Sequence, residues 1–275
     1  MLLSVKSIQG NREYMEDKYI YIEDESNGTI LSFICDGHGG DKTSTMTIKW
    51  LSPLLLNTMK KFNKNMTNIE ISIIIRKTIM QWGSEIKQQK SGATLTGVIK
   101  YNNIVYVFNI GDSRTVMRLK NKSKIYFLRP QWSSTGRYDP SVIKTEHYNL
   151  NFFKTIDHDD TNKIEVARVK SAGGKITNNR LNGILSVTRA LGDKDIGKGL
   201  SYVPDIYWTY VTNIRGPIVM YSDGIYEMQR YETDKNFRDE YLYEIATTKN
   251  AGELVKYAHE NGSDDNLTVL VITLN

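Results

Sequence analysis

The chain has 275 residues, 40% of them apolar and 24% charged, with a formal net charge of +5 at neutral pH. That apolar share is enough to bury a sizeable core and excludes disorder as the default class, and the length suits one large domain or two small ones. No run approaches the ~18 uninterrupted apolar residues of a membrane span, the opening MLLSVKSIQGNREYMED turns polar too early for a secretory leader, and the single cysteine, Cys35, excludes an intrachain disulfide framework.

In chain order, KYIYIED (18–24) and TILSFIC (29–35) have the β-branched and aromatic content of strands. Two longer segments with helical apolar spacing follow, 42–62 and 68–89, and Pro53 is a point at which the first would bend. Next come ATLTGVIK, NIVYVFNI, RTVMRLK and KIYFL, separated by YNN, GDS and NKS, which reads as a meander of antiparallel hairpins. A helix around NKIEVARVKSAGG, a strand PIVMYS, helices around FRDEYLYEIATTK and AGELVKYAHEN, and a last strand NLTVLVITL complete the pattern. No repeat or Pro/Gly-rich linker divides it, so the expectation is one domain over 1–275, with sheets packed on each other and helices outside. The basic patches KKFNK (60–64) and RLKNKSK (118–124) accompany no nucleic-acid motif and read as solvated surface.

Four aspartates stand at edges of apolar strands: Asp36 after TILSFIC, Asp112 after VYVFNIG, Asp223 after PIVMYS and Asp265 before NLTVLVITL. One Asp-Gly at a strand end is an ordinary turn; four, beside Glu16 and Asp17, suggest carboxylates converging at one side of the sheets. Such a cluster repels itself at neutral pH unless cations bind, and hard oxygen ligands select Mg²⁺, Mn²⁺ or Ca²⁺ over zinc. Two ions about 3.5–4 Å apart can lower the pKa of a water and hold a phosphoryl group for in-line attack. Gly37 lets the backbone approach an ion closely. His38, beside a candidate ligand, suits a proton donor to a leaving alkoxide. Arg12 suits bidentate contact with a phosphate. A thiolate phosphatase would need arginine six positions after Cys35, where Asp41 stands, and neither a G-x-S-x-G elbow nor a P-loop is present.

With these motifs in place the sequence resembles the metal-dependent protein phosphatases of the protein phosphatase 2C family. The resemblance runs in order through NREYMED (11–17), CDGHGG (35–40), SGATLTGVI (91–99), FNIGDSR (108–114), DH (157–158), SAGGKI (171–176), LSVTRALGD (185–193), YSDGIYE (221–227) and SDDNLTVLVI (263–272). It implies an α+β fold, a four-layer αββα sandwich of two antiparallel sheets flanked by helices. It further implies two Mg²⁺ or Mn²⁺ ions and hydrolysis of phosphoserine and phosphothreonine by metal-activated water. By position, Asp36 would bridge both ions, the Gly37 carbonyl would bind one, Asp223 and Asp265 would complete the other, and Glu16 and Asp17 would hold coordinated waters. Arg12 would take the substrate phosphate, His38 would be the general acid, and Asp112 matches the position tied to a third, weaker ion.

Two departures from the family pattern stand out. The gap from Arg114 to Asp157 is long and reads as an insertion at 129–153, whereas the stretch after RALGD, KDIGKGLSYVPDI, is short where the family often carries a mobile flap. The insertion holds Trp132, Tyr138, Tyr148, Phe152 and Phe153 among Arg129, Arg137 and Lys144, a mixture suited to an interface that selects partners apart from the chemistry. The alternative is a loop that packs these rings onto its own domain. The expectation is therefore a monomeric serine/threonine phosphatase, cytoplasmic or otherwise intracellular, acting on phosphorylated proteins, with neither nucleic acid nor membrane as partner. A pseudophosphatase scaffold is the rival reading, although a scaffold has no chemical need for a self-repelling acidic cluster; a two-metal nuclease would need a basic groove leading to the ions.

Overall fold

The computed structural model describes residues 3–24, 26, 28–228 and 235–274. Strand β1 (Leu3–Ile8) precedes β2 (Lys18–Asp24) and β3 (Thr29–Cys35), which pair from Lys18 against Cys35 to Asp24 against Thr29. After β4 (Gly37–His38), α1 (Lys42–Met59) continues through Pro53. Helix α2 (Asn68–Ile86) starts at a reciprocal cap: Thr67 Oγ1 accepts from Glu70 N and Glu70 Oε2 accepts from Thr67 N, satisfying two otherwise orphaned donors. Then follow β5 (Gly92–Ala93), β6 (Leu95–Tyr101), β7 (Ile104–Ile110), β8 (Arg114–Arg129) and β9 (Lys144–Lys154). Helix α3 (Lys163–Ser171) is capped by Asn162, and β10 (Ile176–Thr177), β11 (Arg180–Leu181) and β12 (Leu191–Gly192) are short. The chain closes with β13 (Asp205–Tyr210), β14 (Ile214–Tyr221), α4 (Lys235–Thr248), α5 (Ala251–Glu260) and β15 (Leu267–Ile272).

Ten strands form one antiparallel sheet in the order β1-β15-β14-β8-β13-β7-β6-β3-β2, with β9 along β8. The sheet curls so that its halves face each other across an apolar layer containing Ile34, Val107, Phe127, Ile218 and Leu270. Outside one half, α1 and α2 bury Leu51, Leu55, Ile75 and Ile79 against Phe33, Phe108 and Trp208. Outside the other, α4 and α5 bury Leu242, Leu254 and Val255 against Val219, Tyr221 and Val269. These are the four layers expected, but their two sheets are continuous. The runs RTVMRLK and KIYFL, expected as two strands of a hairpin, fuse into β8, whose first half pairs with β14 and second half with β13. Asn121 and Lys122 take positive φ (46° and 53°) where the β8–β9 register shifts, so NKS bends the strand as a bulge instead of reversing it.

Within 129–153, four of the five rings pack onto the domain. Trp132 lies over Arg168 and Arg189 (5.0 and 5.1 Å to the ring centroid), Tyr138 faces Arg76 at 5.7 Å, Phe152 meets Tyr243 edge-on and Phe153 is buried against Tyr207. Tyr148 stays exposed. Beneath Trp132, Glu165 binds Arg189 at 2.6 Å and Arg168 at 2.9 Å, and Arg189 also binds Asp205 at 2.9 Å, all buried. The two arginines pull the Glu165 carboxyl well below its ordinary pKa although burial alone would raise it. Removing one member of such a network strands the others without counter-charge. Glu165→Ala is expected to cost about 3–5 kcal/mol in urea unfolding; a cost under about 1 kcal/mol, the value of an exposed pair, would show that the network does not hold α3 to the sheet.

Candidate active site

The strand registers decide where the four aspartates go. Arg114 stands opposite Tyr221 and Tyr221 opposite Val269, while Ile110 stands opposite Leu95 and Ile34 opposite Thr96. The end of β3, the β7–β8 turn, the end of β14 and the start of β15 therefore share one edge of the curled sheet. Asp36 is fixed there by its backbone: its carbonyl accepts from Thr94 N at 2.8 Å and its N–H donates to Thr94 Oγ1 at 3.2 Å. The following residues build a small three-stranded sheet, β12-β5-β4, that seats His38 opposite Gly92 and Gly92 opposite Gly192. His38 Nε2 thereby lies 2.7 Å from Oδ2 of buried Asp193. A Cβ on Gly92 would come within 2.0 Å of that carboxylate and 2.1 Å of the imidazole, so only glycine permits the contact.

The carboxylates converge and repel. Burial, then the charge of Asp265, pushes Asp223 up to about 6, and burial also takes Asp17 to about 6. Asp36 and Asp112 are held well above the ordinary carboxylate range, first by burial and then by Asp223. The charge on each of these carboxylates makes ionising its neighbours costlier, and this is the conflict a bound cation would relieve. Ser222 Oγ donates to Asp17 Oδ2 at 2.8 Å, whereas Asp17 Oδ1 is buried with no hydrogen-bond partner. Among the described residues no three such side chains are already gathered at ligand distance about one point. Even so, an orphaned buried oxygen amid repelling carboxylates fits a hard divalent cation, and the all-oxygen donor set fits Mg²⁺ or Mn²⁺.

The remaining expected residues ring this cluster. Arg12, on the exposed β1–β2 connection, binds Asp265 Oδ2 at 2.5 Å. Glu16 accepts from Gly40 N, and its own N–H donates to Asn266 Oδ1 at 2.7 Å. A Cβ on Gly37 would meet Glu16 O at 2.6 Å, so the backbones of CDGHGG and NREYMED pack together only through glycine. GDSR and DH meet as well: Arg114 grips Asp157 with two bonds of 3.1 and 2.7 Å, and His158 Nδ1 accepts from Gly111 N at 3.0 Å. Sequence reasoning passed over Asp193, Asn266 and Tyr226, whose hydroxyl donates to the Asp112 carbonyl at 3.0 Å. The signal for Asp193 was its place at the end of RALGD; only the fold puts it against His38.

Residues 1–267 match the family Protein phosphatase 2C, and the chain belongs to it. It is 27% identical to the human integrin-linked kinase-associated serine/threonine phosphatase 2C over 97% of this chain and 70% of that protein. The serine-threonine phosphatase 2C of Toxoplasma gondii superposes with a TM-score of 0.68 over 99% of this chain and 94% of that one, at 17% identity. A sex determining protein of C. elegans gives 0.73 at 18% identity, this chain spanning 65% of its length. At those identities the solved structures show a common fold.

The cluster is strained without a counter-ion, and this is measurable. In chelator at neutral pH, Asp36→Asn, which keeps the shape and removes the charge, is expected to leave the urea midpoint unchanged or to raise it. A fall in midpoint would mean that the carboxylate holds the fold together by bonds an amide cannot replace.

Proposed function

We propose that the chain is an active protein serine/threonine phosphatase that depends on Mg²⁺ or Mn²⁺ and takes phosphorylated proteins as substrates. The observation that carries this reading is the convergence of Asp17, Asp36, Asp112, Asp223 and Asp265 in one partly buried cluster, in which burial and neighbouring carboxylates raise the pKa of Asp17, Asp36, Asp112 and Asp223. Two ions per chain would be held by Asp36, the Gly37 carbonyl, Asp223 and Asp265, with Glu16 and Asp17 acting through water and Asp112 serving a weaker third. When bound, such ions neutralise the cluster and lower the pKa of a water to the range where it attacks phosphorus.

The chain's own groups divide the remaining work. Arg12 sits at the mouth with its guanidinium against Asp265, and its exposure leaves it free to turn its fork onto the oxygens of an incoming phosphate. Asp193 engages His38 Nε2 and fixes the ring, leaving Nδ1 as the nitrogen available to hand a proton to the departing serine or threonine oxygen. An inert scaffold gains nothing from keeping this set of repelling carboxylates, which supports turnover over mere binding.

The first test is hydrolysis of a phosphothreonine peptide, expected to be absent in chelator, restored by Mn²⁺ or Mg²⁺, and reduced to background in Asp36→Ala and Asp223→Ala. Substantial metal-free turnover by folded Asp36→Ala would refute the proposal. The second compares leaving groups. His38→Gln is expected to slow phosphopeptide hydrolysis by roughly 10²–10⁴-fold, the usual worth of a general acid, and aryl phosphate hydrolysis far less, because a phenolate departs with little protonation. Equal losses on both substrates would make His38 a structural residue.

A further inference from the structure

We infer that the groove between α2 and the 130–143 connection is a docking site for a segment of a protein partner that carries acidic residues beside apolar anchors. The groove is an open cleft of about 830 Å³, separate from the carboxylate cluster. Its floor is apolar: Ile73, Met80, Trp132 and Leu200 line it, with Val142 and Ile143 on the rim about half exposed. Its charged lining is of one sign. Arg76, Lys77, Arg137 and Arg168 face it, and none of the described residues that line it is Asp or Glu.

The four cations are in two different states. Arg76 and Arg168 are buried and already committed: Arg76 donates to Pro204 O and Leu128 O, and Arg168 to Gly199 O, Thr188 O and Glu165. The charge of Arg168 is matched by Glu165, whereas Arg76 forms no ion pair among the described residues and leaves the floor a positive charge that bulk water screens poorly; Trp132 presents a ring already braced from behind by Arg168 and Arg189. Lys77 and Arg137 are exposed, stand on opposite walls, and form no ion pair among the described residues. The nearby Asp139 accepts from the N–H and hydroxyl of Ser141 at 2.9 and 2.5 Å and forms no ion pair with either cation among the described residues. A basic ligand would meet repulsion here, and a purely apolar one would leave both cations without partners.

Shape agrees with an extended chain. The lining runs along α2 from Ile73 to Ser84, a rise of about 16 Å at 1.5 Å per residue, which accommodates about five residues of extended peptide. Tyr202 closes one side by lying against Gly83. Past Ser84 the chain continues to Gln89 and Ser91, whose carbonyls accept from Lys194 N at 3.0 Å and Asp193 N at 3.1 Å. A segment seated in the groove thus points along α2 toward the element that carries His38's partner. If the phosphatase reading holds, that segment belongs to a substrate or to a protein that delivers one; the docking itself requires no catalysis.

The test is fluorescence anisotropy at low salt with a short fluorescein-labelled peptide alternating Glu with Leu and Phe, beside otherwise identical peptides carrying Gln or Lys in place of Glu. Saturable binding of the Glu peptide is expected, about tenfold or more weaker for the Gln peptide, weaker still for the Lys peptide, and falling as salt rises. The double variant Lys77→Glu, Arg137→Glu and, independently, Val142→Asp, Ile143→Asp are each expected to weaken binding by about tenfold or more. Thermal melts and aryl phosphate turnover of both should match the parent, because these residues lie outside the catalytic machinery. Binding of the Lys peptide as tight as the Glu peptide, indifference to both variants, or no saturable binding would overturn the inference. So would reversible self-association in sedimentation velocity that Val142→Asp, Ile143→Asp abolishes, since the groove would then be occupied by a second copy of the chain.

Discussion

Mutual repulsion among carboxylates at one edge of the sheet is the constraint to which the rest of the molecule answers. Asp36, Asp112, Asp223 and Asp265 come from distant parts of the chain, and each alone is a tolerable turn residue. Together they raise the free energy of the folded state whenever they are ionised without a counter-charge; burial first, and then the neighbouring carboxylates, moves Asp17 and Asp223 up to about 6. A fold that holds them together must therefore draw its stability from elsewhere.

It draws that stability from three apolar layers and from clamps placed beside the repelling groups. The space between the sheet halves is filled by aliphatic and aromatic side chains, and each outer pair of helices adds a further apolar layer; burying one such side chain is worth about 1.5–3 kcal/mol. β8 ties the layers together because it contributes to both halves. Close to the cluster, Arg114 is buried with Asp157 and Asp239 on its guanidinium and the ring of Tyr226 at 3.4 Å, and that tyrosine's hydroxyl holds the Asp112 backbone. That positive charge is matched by Asp157 and Asp239, so its main effect is to fix the backbone around the cluster, and it offsets the charge of Asp112 only in part.

Positive charge is also divided by burial. Arg114, Arg168 and Arg189 are interior and structural, each matched to carboxylates. Arg12 at the cleft mouth and Lys77 and Arg137 along the groove remain accessible, where their charges can be offered to a ligand. A net charge of +5 says nothing of this division. It follows from which arginines the sheet and α3 enclose.

The sequence by itself determined the strand and helix runs whose periodicity is local: β2 and β3 as KYIYIED and TILSFIC, the helical spacing of α1 and α2, and the aspartates at the strand ends. Those features depend on backbone preference, side-chain alternation and neighbours a few residues away, and all of these are written in the chain. Several strands were not legible. β1 and β9 are edge or outer strands with mixed polarity, β13 draws its pairing from β7 and β8, and the bend at Asn121–Lys122 looks in sequence like a reversing turn because both use positive φ. Only the tertiary structure decided that β8 continues, that the four aspartates share an edge, and that His38 meets Asp193 across Gly92. Each of these depends on register between segments far apart in sequence, and register is fixed by the burial of whole faces, which no local pattern records.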